Sequence, residues 1–429
     1  MTTAVATTGI DESPIHLEKA VIKSWKVPTI FAVFTVVGLI LFLALGRSGV
    51  THFNLSTTSD LLQLPIATLP TRATGVIVVI LSALLSVIAA GMSYSARTIP
   101  LWFITIFAVV FFVGFLTWAA AGNTIAVPGL LLSAVGISVP LIFGALGGVI
   151  SERVGVVNVA IEGQLLAGAF VSAVVATVTH QPVVGFVAAM LAGVLVAAIL
   201  AVFSITYLVD QVIVGVVLNV LVIGLTDFLY SQVLASNAPA LNAPPHFPFL
   251  PIPLLSEIPI IGPALFRQTI IVYLMYAAIF LVWFALFKTR WGLRVRAVGE
   301  HPTAADTVGI NVNRTRFLNV LLAGAIAGAG GAYYSLAASP LFTREVTAGA
   351  GYIALAAVIF GRWNPLLATL AALLFGFTSS LQFSLSAAGS PVPSEFMLML
   401  PYLVTILAVA GLVGHSRGPA ASGKPYIKS

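Results

Sequence analysis

Apolar stretches of about twenty residues recur along the whole chain, and they limit its possible folds more than any other feature. A helix of that length crosses the hydrocarbon core of a bilayer. Backbone polar groups find no water there, so only helices and closed barrels span a membrane. We therefore predict an all-α fold, a polytopic transmembrane helical bundle of about 10–12 spans. The clearest predicted spans are 28–46, 74–92, 100–121, 130–150, 156–178, 183–208, 212–234, 269–287, 317–336 and 396–414.

Composition supports this class and excludes others. Hydrophobic residues make up 59% of the chain and charged residues 7%, whereas soluble domains carry about 25% charged residues. The chain is therefore not a soluble globular domain. It contains no cysteine, which excludes a disulfide framework, a thiolate metal site and a cysteine nucleophile. The net charge of +6 does not indicate nucleic-acid binding, because the basic residues lie in short loops and near the termini.

The distribution of basic residues predicts the orientation of the bundle. The loop from Lys288 to Arg316 is the most basic, and the positive-inside rule makes it cytoplasmic. Counting spans from a cytoplasmic N-terminus places this loop on the same side, and the basic residues Arg417, Lys424 and Lys428 predict a cytoplasmic C-terminal tail. The N-terminal residues show no secretory cleavage pattern. The predicted organisation is a cytoplasmic tail (1–27), an additional N-terminal transmembrane module (28–125), a transmembrane core (126–415) and a second cytoplasmic tail (416–429).

Residues 351–382 do not fit a simple span. The apolar run 352–360 is too short to cross, the sequence GRWNP (361–365) interrupts it, and a second apolar run covers 366–381. Because the C-terminal tail is predicted to be cytoplasmic, this region must begin and end on one side of the membrane. A re-entrant segment or a pair of half-helices satisfies that requirement, whereas one kinked helix does not.

The stretch from Phe143 to Phe170 concentrates polar residues between long apolar runs. In hydrocarbon an ionisable side chain costs on the order of 3 kcal/mol. One interpretation is a short cytoplasmic turn, SERVG, between two spans. The other is a broken helix or gate beside a substrate path, because non-helical backbone at membrane depth is tolerated where it is buried in protein or lines a cavity. The polar residues are Glu152, Arg153, Asn158, Glu162 and Gln164, with Gly155 at the expected break.

The run SERVGVVNVAIEGQLLAGAF within this stretch resembles the signature of permease subunits of bacterial ABC importers for nucleosides. These are relatives of the simple-sugar, ribose and branched-chain amino acid type permeases. The resemblance continues through 211–219, 291–305 and 351–365, and covers about residues 130–414. The first hundred or so residues lie outside it. The matching positions of the run are Ser151, Glu152, Arg153, Gly155, Val156, Val157, Asn158, Glu162 and Gly163.

The resemblance implies a transport subunit of the bacterial cytoplasmic membrane rather than an enzyme. Its partners would be a second permease subunit, a cytoplasmic ATPase, an extracytoplasmic substrate-binding lipoprotein and membrane lipid, with no nucleic acid. ATP and magnesium would bind the partner ATPase, so we expect no cofactor, catalytic residue or metal site in this chain. The run GPAASGKP (418–425) lacks the hydroxyl residue and the preceding strand of a phosphate-binding loop. The histidines are scattered without metal-ligand spacing.

The predicted cytoplasmic loop carries the spacing Ala-Ala-x3-Gly at 304–309. The resemblance implies that this is the short loop by which ABC permeases dock on their ATPase, with flanking arginines able to pair with acidic rims. The alternative is an ordinary positive-inside loop. The residues assigned to the coupling loop are Arg294, Arg296, Glu300, Ala304, Ala305 and Gly309.

An uncharged nucleoside presents hydroxyls and amides, so its path needs hydrogen-bond donors and acceptors rather than net charge. We predict that Glu152 and Arg153 turn away at Gly155 as a local pair that holds the turn. The alternative for the intramembrane amides is inter-helix bonding, worth about 0.6 kcal/mol on average. The residues assigned to the substrate path are Asn158, Glu162, Gln164 and Asn219.

A second class of function remains open from the residues alone. A secondary transporter driven by a proton or sodium gradient would use an intramembrane carboxylate, for which Glu152, Glu162 and Asp227 are the candidates. Dependence of uptake on ATP, against sensitivity to an uncoupler, distinguishes the two classes.

Overall fold

The computed structural model describes residues 24–389, 392–393, 395–396, 399 and 418–428. Among these residues, 10 helices are long and apolar enough to cross a membrane, which confirms the predicted helical bundle. The predicted span 396–414 lies outside the described residues except at positions 396 and 399. The helices are α1 (Lys26–Gly38), α2 (Thr71–Tyr94), α3 (Leu101–Ala119), α4 (Val127–Arg153), α5 (Ile161–Thr179), α6 (Pro182–Ala201), α7 (Gln211–Leu229), α8 (Ala238–Leu241), α9 (Ile261–Phe266), α10 (Ile270–Lys288), α11 (Arg290–Glu300), α12 (Pro302–Thr307), α13 (Val312–Tyr333), α14 (Ala350–Phe360) and α15 (Pro365–Ala387).

Shorter elements extend or connect these helices. Four helices continue as π-helical turns, which are Leu39–Ala44 after α1, Val202–Thr206 after α6, Tyr230–Leu234 after α7 and Tyr334–Ala338 after α13. The strands are β1 (Val50–Asn54), β2 (Ala67–Pro70), β3 (Thr124–Ala126), β4 (Phe249–Pro251) and β5 (Arg267–Thr269). Residues 52–54 of β1 pair in parallel with β3, and β4 pairs antiparallel with β5.

The described chain forms two compact units. The first contains the residues up to Thr51 together with Leu69–Gly122, and therefore α1, α2 and α3. Its interior is aromatic: Phe31 stacks on Phe107 with ring centroids 3.8 Å apart. Thr35 and Ser86 share a hydrogen bond of 2.9 Å between α1 and α2. Packed phenylalanines and one hydroxyl pair thus hold these three helices together.

The second unit, His52–Thr68 with Asn123–Ser429, packs its helices through small residues. A Cβ added at Gly193 of α6 would lie 2.1 Å from the carbonyl oxygen of Gly324 on α13. A Cβ at Gly168 of α5 would lie 2.4 Å from the carbonyl oxygen of Gly328. Transmembrane helices associate by such close backbone approach because lipid removes the hydrophobic driving force between them.

Helix α5 begins inside the bundle rather than at its end. Methyl groups of Ile161 lie 3.0 Å and 3.2 Å from where a Cβ would stand on Gly144 and Gly148, which are well within α4. The chain therefore leaves α4 at Arg153 and turns back into the protein before helix resumes. The predicted span began at position 156, but the helix begins at Ile161. Gly155, at φ +94°, ends the preceding helix with a left-handed residue.

Helix α14 is a half-length helix beside α4. Ala354 and Val358 of α14 contact the positions of Gly144 and Gly148, so α14 begins midway along α4. Its end is followed by a turn that reaches Arg153, and α15 then returns to the start of α4, where Ser380 Oγ donates to the Leu130 carbonyl. This agrees with the predicted re-entrant or half-helix arrangement, although only α14 is short and α15 is long enough to span.

Candidate substrate path and coupling surface

Glu162 joins the beginnings of two helices inside the bundle. It lies in the first turn of α5, is 3% exposed, and accepts hydrogen bonds from Thr347 Oγ1 at 2.6 Å and from the backbone N–H groups of Gly349 at 2.9 Å and Gly351 at 2.6 Å. A helix start carries unsatisfied N–H groups and partial positive charge, so a carboxylate is favourable there. The Glu162 carboxylate thus closes the N-terminus of α14.

The chain before α14 crosses this part of the protein without helical structure. Glu345, Ala348 and Gly349 adopt left-handed backbone conformations, with φ between +44° and +82°. Thr347 is 3% exposed. Such backbone persists at membrane depth only when other groups satisfy its donors and acceptors. The Glu162 carboxylate accepts the hydrogen bond of the Gly349 N–H.

Asn158 and Gln164 bind each other across the break between α4 and α5. Each amide nitrogen donates to the other amide oxygen, at 3.0 Å and 3.3 Å, and both side chains are fully buried. Gln211 Oε1, from the start of α7, accepts from the Val157 N–H at 2.7 Å. Gln211 thus replaces a helical hydrogen bond that the break removes, whereas Asn158 and Gln164 satisfy each other across the break.

Asn219 connects α7 to both broken regions. Its Oδ1 accepts from the Gly163 N–H at 2.8 Å, and its Nδ2 donates to the Val159 carbonyl at 2.9 Å and to the Tyr352 hydroxyl at 3.1 Å. Tyr352, in the first turn of α14, is 46% exposed. It is the surface-exposed member of an otherwise buried polar cluster.

The four residues assigned to the path from sequence therefore lie together at the break, and all four are buried and bonded within the protein. We call this set, with Thr347, Gly349, Gly351 and Tyr352, the polar junction. Their role in the path stays a prediction. The pattern of Asn and Glu near glycines located the junction, whereas Tyr352 was found only through its bond to Asn219.

Glu152 and Arg153 do not form the expected local pair; both bind the Trp363 turn instead. The Trp363 indole Nε1 donates to Glu152 Oε2 at 2.5 Å. Arg153 Nε donates to the Trp363 carbonyl at 2.9 Å. The reason is that the turn after α14 folds against the end of α4 and presents a donor to the carboxylate and an acceptor to the guanidinium. Gly155 lies at the expected break and adopts a left-handed conformation there.

The predicted coupling loop forms α11 and α12. Ala304 and Gly309 are exposed, whereas Ala305 is 3% exposed and faces the core. Leu293 and Val308 are apolar yet 61% and 75% exposed. These two residues were not singled out from sequence.

The charged residues of this segment divide into exposed and engaged groups. Arg294 is exposed and free to meet an acidic partner surface. Arg296 is half-buried, with its guanidinium 5.4 Å from the centroid of the Phe287 ring. Glu300 Oε2 accepts from the Ala420 N–H at 3.2 Å. Arg296 and Glu300 are therefore committed to contacts within the chain.

Comparison with known proteins gives consistent matches. The family model described as branched-chain amino acid transport system / permease component matches residues 130–409. The guanosine ABC transporter permease protein NupQ of Bacillus subtilis is 42% identical over 314 residues, which are 71% of this chain and 97% of that protein.

Two further relatives extend the comparison. The nucleoside ABC transporter permease protein NupC of Lactococcus lactis is 42% identical over 301 residues, 68% of this chain and 94% of the relative. The putative glucose ABC transporter permease protein TsgC13 of Haloferax volcanii is 37% identical over 304 residues, 66% of this chain and 91% of the relative. No solved structure matches the chain.

Proposed function

The chain belongs to the family of branched-chain amino acid transport system permease components, and on that premise we propose that it translocates nucleosides. It is a multi-pass transmembrane permease subunit of an ABC importer for nucleosides or related sugars, a transport subunit rather than an enzyme. A secondary transporter is the less favoured alternative, because the relatives of this chain are ABC transporter permeases.

The observation that best supports an uncharged solute is the closure of the α14 N-terminus by Glu162. In many transporters, half-helix N-termini point their positive ends at anionic substrate groups. Here the Glu162 carboxylate already accepts from Gly349 and Gly351, so that positive end is neutralised by the protein. An anion would meet a carboxylate, whereas a neutral nucleoside would not be repelled.

Tyr352 supplies the contact surface in this proposal. Its ring is 46% exposed, and Asn219 holds its hydroxyl. An aromatic face stacks on a nucleobase, an interaction worth about 1–3 kcal/mol per base in nucleic-acid complexes. The substrate path would run along the Tyr352 side of the polar junction, with Asn158, Glu162 and Gln164 fixing the breaks behind it.

The proposed assembly follows the family. A cytoplasmic ATPase, which binds ATP and magnesium, docks on α11 and α12; a second permease completes the path; and an extracytoplasmic lipoprotein delivers the solute. The protein lies in the bacterial cytoplasmic membrane with both termini and the Lys288–Arg316 loop in the cytoplasm. The basic character of that loop supports this orientation.

The test is nucleoside uptake by proteoliposomes that contain the complete complex, with Tyr352→Ala and the conservative control Tyr352→Phe. Loss of the ring should raise the half-saturating nucleoside concentration about 5- to 150-fold, the equivalent of about 1–3 kcal/mol. Tyr352→Phe keeps the ring and loses only the bond to Asn219, so its uptake should stay near that of the wild type. Equal uptake by Tyr352→Ala and wild type would contradict the proposed path. Competition by unlabelled glucose, and none by nucleosides, would assign a sugar instead.

A further inference from the structure

The C-terminal segment, residues 418–428, lies against the elements that carry the proposed coupling surface and the turn after α4. Ala421 N–H donates to the Gly299 carbonyl at the end of α11, at 2.9 Å. Lys428 Nζ lies 4.0 Å from Asp306 Oδ1 on α12. Arg316 Nη1, near the start of α13, donates to the Lys424 carbonyl at 3.0 Å. One short segment thus touches α11, α12 and α13.

The same segment also reaches the turn that follows α4. The Ala421 carbonyl oxygen lies 3.3 Å from where a Cβ on Gly155 would stand, and a Cβ on Gly423 would lie 3.6 Å from Val157 Cγ2. A Cβ on Gly418 would lie 3.0 Å from the Trp363 ring, which holds Glu152. The segment therefore bridges α12 to the turn and to the Trp363 contact.

Arg316 connects the C-terminal segment to the buried interior of the protein. The residue is 2% exposed, and among the described residues its Nε and Nη2 have no hydrogen-bond partner. A buried guanidinium that loses a hydrogen bond leaves a costly unsatisfied charge. Arg316 Nη1 donates to the Lys424 carbonyl. This hydrogen bond holds the C-terminal segment to α13.

Neighbouring apolar residues of the segment differ sharply in burial. Tyr426 is 8% exposed and packs into the main apolar core, whereas Ile427 is 72% exposed. Tyr426 thus anchors the segment through its ring and through its hydroxyl, which hydrogen-bonds Asp306 of α12, and the exposed Ile427 offers a control at the adjacent position.

We propose that the C-terminal segment couples the docking helix to the helix break, with Tyr426 as the positioning residue that holds it in place. Displacement of α12 by the ATPase is carried through this segment to residues 154–157, where the chain turns back into the bundle. Packed side chains and hydrogen-bonded groups carry coupling between distant sites. Gly299 of α11 also approaches the Arg153 carbonyl directly, and the segment adds the connection from α12 and α13. This inference rests on the proposed function.

The test compares Tyr426→Ala, Tyr426→Phe and Ile427→Ala in the complete reconstituted complex. Three quantities are measured: the amount of assembled complex, the rate of ATP hydrolysis, and the nucleosides transported per ATP hydrolysed. Tyr426→Ala should lower nucleosides per ATP by roughly 2- to 30-fold, the range for residues that carry coupling. Assembly and ATP hydrolysis should persist. Ile427→Ala should match the wild type, whereas Tyr426→Phe, which keeps the ring but loses the hydroxyl that hydrogen-bonds Asp306 of α12, should fall between the wild type and Tyr426→Ala.

Two results would overturn the inference. The first is an unchanged ratio of nucleosides to ATP in Tyr426→Ala. The second is a parallel loss of assembled complex, hydrolysis and uptake with the ratio preserved, which would make the segment a structural brace only. Failure of the wild-type complex to couple nucleoside uptake to ATP would instead refute the proposed function.

Discussion

The polar junction and the α11–α12 surface use polar and small residues in opposite ways. At the junction, Glu162, Asn158 and Gln164 are buried and their polar groups bind the protein itself. On α11, on α12 and at the residue that follows α12, the exposed groups include Ala304 and the apolar Val308. The buried junction stabilises irregular backbone, whereas the surface keeps small and apolar side chains exposed. The two regions should therefore fail differently when mutated: the first in folding and the second in transport.

The largest expected effect tests the junction for folding. In Gly351→Ala, the new Cβ would stand 2.3 Å from the backbone nitrogen of Glu162, a contact that backbone cannot relieve cheaply. We expect little folded protein in the membrane, measured by fluorescence size-exclusion of the detergent extract. Gly224→Ala is the matched control, because a Cβ there meets nothing within 4 Å. Normal amounts of monodisperse Gly351→Ala would show that the junction does not depend on this close backbone packing.

The next effect tests the surface for transport. Ala304→Glu or Val308→Glu adds a carboxylate to an exposed position and should leave the amount of folded protein unchanged while abolishing uptake. Ser236→Glu, on another exposed segment, controls for the added charge. ATP-driven uptake at the wild-type rate in both variants would mean that this surface does not contact the ATPase.

A smaller effect is expected when Glu162 keeps its shape but loses its negative charge. Glu162→Gln keeps the shape but turns an amide N–H₂ toward backbone or hydroxyl donors, which should lower the free energy of unfolding by about 1–3 kcal/mol. Glu162→Ala leaves all three donors without an acceptor and should cost more. Thermal unfolding in detergent measures both. Full thermal stability of Glu162→Ala, combined with lost transport, would assign the carboxylate to the path rather than to the junction.

The smallest perturbation tests orientation. Thr303→Cys introduces a thiol on exposed α12 in a chain without cysteine, and it should not change uptake. In intact cells a membrane-impermeant maleimide should fail to label it, and labelling should appear after the membrane is opened. Labelling in intact cells would place the docking surface outside and reverse the predicted topology.

The sequence predicted the nine spans between positions 28 and 336 well, because each is a continuous apolar run with its own local signal; the predicted span 396–414 lies outside the described residues except at positions 396 and 399. It also located the junction, since polar residues beside glycines are conspicuous in an apolar chain. It did not predict the partners of Glu152 and Arg153, because Trp363 lies 211 and 210 positions away along the chain. Local spacing favours a local pair, and only the fold brings the turn after α14 to the end of α4.

The start of α5 shows the same limit at a boundary. Apolar residues continue from Val156, so hydropathy alone starts the span there. The helix begins at Ile161 because Ser151, Gln211 and Asn219 bind the backbone of residues 156–163 and stabilise its irregular course. Two of these three side chains come from α7. Their effect on the boundary is a tertiary contribution that an apolar pattern does not contain.

We propose that this permease moves nucleosides at the expense of ATP that is hydrolysed elsewhere in its complex. Proteoliposomes with the complete complex, nucleotide supplied on the ATPase side and labelled guanosine on the other, test it directly. We predict uptake that requires hydrolysable ATP and continues when a protonophore collapses the proton gradient. Uptake that proceeds without ATP and stops on addition of a protonophore or removal of sodium would contradict the claim and favour gradient-driven transport.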